Sequence, residues 1–239
     1  MGIKGRRVMT FAAWVCAVLV GASLSSCAAP SFTYVAVSGN STYFKVPYGW
    51  KQISGADMCT ELQSGNGQSS SSSPSASASA SASSACPNDW LAGYEPGTKP
   101  SAHDFESLSL SRPFVFVDVE PYTSQTSSPP TDDTLRDFYL PVSSAARSAY
   151  QAETGVALGG FKSLRDSALK LSGGVHGVRE TFDYSFAGLG VDTFDEVILA
   201  NSAGTTVYLI VAHCTTSCYS QDKTAINDVM SSFTVRSSP

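Results

Sequence analysis

The chain has 239 residues, 42% of them apolar, which suits one large domain or two small ones with a packed core and excludes wholesale disorder. Its formal net charge is −5, and since Lys4, Arg6 and Arg7 are the only charged residues ahead of residue 27, the rest is more acidic still. Such a surface repels phosphate backbones and argues against a nucleic-acid partner. Beyond the first thirty residues no apolar run approaches the ~20 residues that a spanning helix needs.

Met1 to Arg7 carries three cations, Val8 to Ala22 is an apolar stretch rich in Ala and Val, and Leu24-Ser25-Ser26-Cys27 follows. This order predicts a signal peptide over residues 1–26. The four residues ending at Cys27 resemble the lipobox of bacterial lipoproteins. That resemblance implies that the Cys27 thiol is the lipid attachment point and, after cleavage, the new N-terminus. The alternatives are a secreted protein cleaved near Ala28 or Ala29, or an uncut membrane anchor. Each acyl CH₂ buried in a bilayer contributes about 0.8 kcal/mol, so two or three chains anchor a domain stably. The flanks of Arg6-Arg7 match a twin-arginine signal poorly, which leaves general secretion and an expected place on the extracytoplasmic face of the cell membrane.

Residues 27–41, small and polar apart from Phe32, Tyr34, Val35 and Val37, predict a tether ahead of a single domain over 42–239. Tyr43 to Pro47, a Pro-Gly turn and a run to Ile53 predict a strand, a turn and a second short strand, with Trp50 just beyond the turn. Residues 64–85 are a low-complexity loop dominated by Ser and Ala that cannot pack a core; flexible filler and sugar-accepting Ser are both readings of it. Setting aside Cys16 in the signal and Cys27, four cysteines remain in an oxidising compartment. Three connectivities are possible, and Cys59 with Cys86 and Cys214 with Cys218 is favoured because each pair brackets a segment that reads as a loop. The rival is a metal site from Cys214, Cys218 and His213, which lacks the second paired cluster of a structural zinc site.

Residues 113–120 alternate, with Val115, Val117 and Val119 on one face and Phe114, Phe116, Asp118 and Glu120 on the other. Thr131 caps a predicted helix with Leu135, Phe138 and Tyr139 on one face and Pro141 as its stop, and a second helix is expected from about Ser143 to Glu153 with Ala146, Ala149 and Tyr150 inward. Gly159-Gly160 and Gly173-Gly174 bracket a weakly patterned strand. Residues 175–186 then alternate cleanly, Val178, Phe182, Tyr184 and Phe186 inward against Arg179, Thr181, Asp183 and Ser185. Residues 194–200 and 205–213 are apolar strands joined by Asn201-Ser202-Ala203-Gly204, the second apolar on both faces and hence central. Asp222 is read as the cap of a helix whose Ile226, Val229, Met230 and Phe233 share a face, and Thr234 to Arg236 closes the chain as a strand. The expected class is α+β, a largely antiparallel sheet covered by helices on one face.

Two segments carry a further resemblance. Tyr43-Phe44-Lys45-Val46-Pro47-Tyr48-Gly49-Trp50 resembles the opening of the PsbP-like superfamily, and Asp195 to Arg236 resembles its closing half. The run Cys214-Thr215-Thr216-Ser217-Cys218-Tyr219 is similar to an element of small actinobacterial envelope lipoproteins with this fold. The matching motifs are structural, so the resemblance implies a non-enzymatic binding or assembly role with no cofactor. The Ser/Ala segment and residues 104–160 match nothing in it.

The chemical survey is short, with three histidines, His103, His176 and His213. The sequence has no Gly-x-Ser-x-Gly or His-Glu-x-x-His and no phosphate-binding glycine loop. His176 and Glu180 are four apart on a strand, about 13 Å, too far to share a metal. Glu180 stands on the apolar face, either paired with a cation or lining a cleft. Asp118 and Glu120 share a strand face and make a poor calcium site without further oxygen ligands. His213 beside Cys214 reads as a packed histidine, and Trp50 and Trp90 as core plugs or stacking platforms. The expectation is a lipid-anchored module of the cell envelope that binds an unknown ligand or protein; the alternatives are a cell-wall or lipid hydrolase with a catalytic site assembled in space, and a purely structural lipoprotein.

Overall fold

Alternation on the long strands and apolar stripes on the helices build a two-faced sheet. The computed structural model describes residues 31–37, 41–65, 86, 90–105, 107–122, 128–155, 158–186 and 189–236. The signal peptide over 1–26, the lipid site at Cys27 and residues 66–85 of the Ser/Ala segment lie outside the described residues. In chain order the strands are β1 (Phe32–Val37), β2 (Thr42–Pro47), β3 (Lys51–Ile53), β4 (Trp90–Glu95), β5 (Phe114–Pro121), β6 (Gly159–Lys170), β7 (His176–Phe186), β8 (Gly190–Ala200), β9 (Thr206–Thr215) and β10 (Thr234–Val235). The helices are α1 (Gly55–Gly65), α2 (Asp132–Arg136), α3 (Ser144–Thr154) and α4 (Thr216–Ser232).

The seven-stranded sheet runs β3-β4-β5-β9-β8-β7-β6, and a second sheet runs β1-β2-β10. The pairings in both are antiparallel. β9 is central because Val207 to Cys214 is buried on both faces. β6 is one of the two edge strands, mostly exposed and broken by two register shifts against β7. Gly177 lets β7 approach β8, since a Cβ there would meet the Ile198 carbonyl oxygen at 1.9 Å.

One face of the large sheet packs under α4 and the small sheet, with Ile226, Val229 and Met230 buried and Phe44 set edge-on to Tyr94 at 5.6 Å. The opposite face packs under α1, α2 and the segment around Phe105, through Met58, Leu135, Phe116 and an aromatic group of Phe161, Phe182, Tyr184 and Phe194. A fully buried Met or Ile side chain contributes about 1.5–3 kcal/mol, so these contacts supply the adhesion between layers. The α+β class and the antiparallel sheet are as read from the sequence. The cover is more extensive than the one-face arrangement expected, because both faces of β5, β8 and β9 are apolar and need it.

Several expectations change. Phe32–Val37, inside the expected tether, pairs along its whole length with β2, since its alternating aromatic and aliphatic residues suit a strand. β3 pairs with β4 in the large sheet, so the turn at Gly49 passes the chain between sheets. α2 ends at Arg136, before Phe138 and Tyr139, where Asp137 accepts bonds from the Val142 and Ser143 N–H groups and folds the chain into a loop. α3 has no buried residue: Ala146 and Tyr150 are half-buried and Ala149 is exposed. α4 begins at Thr216, not Asp222, because the Thr215 hydroxyl accepts the Cys218 N–H.

Candidate functional site

Cross-strand register brings Arg165 on β6 opposite Thr181 on β7, and Thr181 opposite Asp195 on β8. On α4, Tyr219, Lys223 and Asn227 recur every fourth residue and therefore share a face. These two rows, with Leu164 and Arg179, line a cleft of about 340 Å³ between the β6–β8 end of the sheet and α4. That volume falls at the small end of ligand sites, typically ~300–1,000 Å³.

Arg179 is buried at the base, its Nε and Nη2 donating to Asp195 at 3.0 and 2.9 Å in a bidentate pair. Nη2 also donates to the Asn227 side-chain oxygen at 3.1 Å, and the Tyr219 hydroxyl donates to Asp195 at 2.9 Å. Burial, with the Asp195 charge beside it, raises the Tyr219 pKa, so the phenol stays protonated as that donor. Among the described residues Nη1 of Arg179 has no hydrogen-bond partner. Among the described residues Arg165 meets no carboxylate and has only the Ser167 hydroxyl at 3.5 Å, and exposed Lys223 forms no ion pair. The arrangement is a fixed guanidinium with one nitrogen open, flanked by two exposed cations and an apolar edge.

The other face of the same strands holds a contrasting set. Glu180 and Glu196 stand directly opposite each other on β7 and β8, buried to 5% and 0% exposure. Arg136 approaches Glu180 only at 4.0 Å, being engaged by Asp133 at 2.7 Å and Asp166 at 3.1 Å. Among the described residues, Oε2 of Glu180 and both carboxyl oxygens of Glu196 lack hydrogen-bond partners. Burial first, then the Asp166 charge, pushes the Glu180 carboxyl up to about 7 against the pull of Arg136. Burial and the neighbouring Glu180 raise Glu196 well above the carboxylate range, so the pair retains a proton at neutral pH.

The remaining residues singled out from the sequence fall in scattered places. Cys59 is bonded to Cys86, tying α1 to the far end of the Ser/Ala segment, and Cys214 to Cys218. Neither bond simply staples a loop: Cys59 sits inside α1, and the second bond ties β9 to the first turn of α4. With both sulfurs so used, Cys214 and Cys218 offer no thiolate to a metal, and no cluster of metal-binding side chains occurs among the described residues. His103 is exposed with Nδ1 2.8 Å from Glu61, and His176 lies 3.0 Å from Asp132. His213 is buried and stacked on Phe194 at 5.4 Å; burial pushes its pKa down to about 4 against the opposing effect of the Phe105 backbone. Trp50 and Trp90 pack against the α4-side core, and Asp118 and Glu120 sit half-buried on β5. None of these lines the cleft. Of its residues, Arg179 and Thr181 are expected from the alternation to face outward, and instead they are covered by α4. The signal that points to the cleft is the Tyr219, Lys223, Asn227 spacing set against that polar strand face.

No family model matches the chain, and no curated protein matches it. Solved structures do. The chain is similar to the cyanobacterial PsbP (CyanoP) of Synechocystis sp. PCC 6803, at 14% identity and TM-score 0.42 over 90% of this chain and 98% of that one. It is similar to LpqN, involved in cell envelope biogenesis of Mycobacterium tuberculosis, at 16% identity and TM-score 0.42 over 86% and 91%. It is also similar to the Ran-binding protein Mog1p of Saccharomyces cerevisiae, at 11% identity and TM-score 0.39 over 85% and 95%. Likeness at this level carries no functional argument; the function has to be read from the cleft residues of this chain.

Proposed function

We propose that this chain is a non-enzymatic ligand-binding module, held on the extracytoplasmic face of the cell membrane by lipid on Cys27, with the cleft under α4 as its binding site. One observation carries the binding role: Arg179 is buried and locked by Asp195 and Asn227, yet its third guanidinium nitrogen has no partner among the described residues that line an open cleft. Fixing a donor before the ligand arrives removes part of the ordering cost of binding. The lipid anchor is supported by the order of cations, apolar stretch and Leu24-Ser25-Ser26-Cys27.

Mass spectrometry of the protein extracted from its own membrane tests both parts. The expected denatured mass is that of residues 27–239 plus acyl groups and less four hydrogens for two disulfides. The expected native mass is larger by a bound small molecule. A free thiol at Cys27 overturns the anchor. A native mass equal to the denatured one, at every extraction condition that keeps the fold, overturns the ligand carrier.

A further inference from the structure

The cleft runs against the charge of its own chain. The protein carries a formal charge of −5, yet the residues lining the cleft include Arg165, Arg179 and Lys223 against Asp195 alone. Asp195 has little left to offer a ligand, since it accepts two bonds from Arg179 and one from Tyr219. The uncommitted polar groups are donors: Nη1 of Arg179, the Lys223 ammonium, the Arg165 guanidinium and the Asn227 amide nitrogen, whose oxygen partner is already used by Arg179. Beside them stand Leu164, 46% exposed at the mouth, and the half-buried ring of Tyr219.

We propose that the cleft takes a small amphiphilic anion, a carboxylate or phosphate monoester with a short apolar flank, its charge held by Arg165, Lys223 and Nη1 of Arg179 and its flank by Leu164 and Tyr219. This deepens the binding role proposed above and rests on it. The work divides by burial. Arg179 is neutralised by Asp195, so it adds direction: a planar donor at a fixed place, suited to an oxygen of either anion. Arg165 and Lys223 supply the net attraction, and because both are exposed that attraction is screened by salt. A cation would meet these two charges with no free carboxylate in compensation, and a neutral amphiphile would leave the donors unpaired.

The test is calorimetric titration of the full chain in zwitterionic-lipid nanodiscs with hexyl phosphate, hexanoate, inorganic phosphate, hexanol and hexyltrimethylammonium. Hexyl phosphate and hexanoate bind, and raising the salt weakens them; inorganic phosphate and hexanol each bind at least several-fold more weakly. The Arg165→Gln/Lys223→Gln variant, which leaves the buried pair intact, lowers the affinity for hexyl phosphate about tenfold. If hexanol or the ammonium binds as tightly as hexyl phosphate and ignores the double variant, the cleft is a binding site and the anion proposal is wrong. If inorganic phosphate binds as tightly as hexyl phosphate, the apolar flank is wrong. If no probe binds while circular dichroism reports the native fold, the anion proposal falls; the native mass then decides whether the binding role falls with it.

Discussion

Strands β7 and β8 carry two charged pairs on successive residues, and the two faces of the sheet treat them in opposite ways. Arg179 and Asp195 point toward α4, have opposite signs and are bonded to each other and to two α4 side chains. Glu180 and Glu196, one residue further along each strand, point toward α2 and have the same sign, and the one cation near them, Arg136, reaches only Glu180, at 4.0 Å, among the described residues. The first pair is stabilised by its partners and opens onto a cleft. The second is stabilised by holding protons, because two carboxylates facing each other in an apolar layer cannot both ionise cheaply. Burial alone therefore does not mark a functional charge. What separates the faces is whether donors remain beside open space.

The largest effect comes from breaking the matched pair. Arg179→Met leaves Asp195 buried without its cation and is expected to lower stability by about 3–5 kcal/mol in urea unfolding. Adding Asp195→Leu should recover most of that loss. A double variant no more stable than the single one would show that Asp195 finds other support, and that the pair is not the base of the cleft.

Next is Cys59–Cys86, which fastens α1 over the carboxylate face. Replacing both cysteines by Ser should cost about 3.5 kcal/mol on the loop-entropy model for 27 residues of separation. A change confined to this face would leave anion affinity in the cleft unaltered, which titration of the same variant checks.

The mismatched pair predicts a pH dependence. Glu180 is raised to about 7 from 4.5, so between these values the folded protein holds a proton that the unfolded chain has released. Its contribution is complete below about 4.5 and is lost as pH rises through about 7. Glu180→Gln should flatten that fall and stabilise the protein at pH 8 by about 2–3 kcal/mol, with little change at pH 4.5. His213 acts in the opposite sense: its pKa is depressed from 6.5 to about 4, so its contribution is present above 6.5 and lost as pH falls through about 4. Wild type and Glu180→Gln compared across this range separate the two. A variant as sensitive above pH 5 as the wild type would remove Glu180 as the source.

How legible these faces were depends on the kind of signal each gave. The apolar alternation of β7 and the two-sided apolar run of β9 are strong and local, and the stripe Ile226, Val229, Met230 and Phe233 marks the α4 face that packs on the sheet. The start of α4 was hidden because Thr215, Thr216 and Ser217 are weak helix formers, while the cap geometry at Thr215 overrides their propensity. α1 left a trace that reading for apolar periodicity passes over: Ser54 accepts the Asp57 N–H at 3.2 Å and donates to its carboxylate at 2.7 Å, a Ser-x-x-Asp capping pattern. The cleft was illegible for a deeper reason. Alternation assigns Arg179, Thr181 and Asp183 to a face, but what covers that face depends on a helix some forty residues later in the chain.

The smallest predicted effect concerns how that helix is held. The Thr215 hydroxyl accepts the N–H of Cys218, and the Cys214–Cys218 bond spans the same turn. Both devices fix the first turn of α4, which carries Tyr219 to the cleft. Removing a Thr cap ordinarily costs about 1 kcal/mol, but a turn already closed by a disulfide has less freedom to fray. Thr215→Ala should therefore cost clearly less in the oxidised protein than in a Cys214→Ser/Cys218→Ser background, a coupling that a double-mutant cycle measures. Equal costs in the two backgrounds would mean that the bond and the cap act independently. Each would then hold the Tyr219 end of the cleft by its own share, and reducing the disulfide would loosen that turn equally with or without the cap.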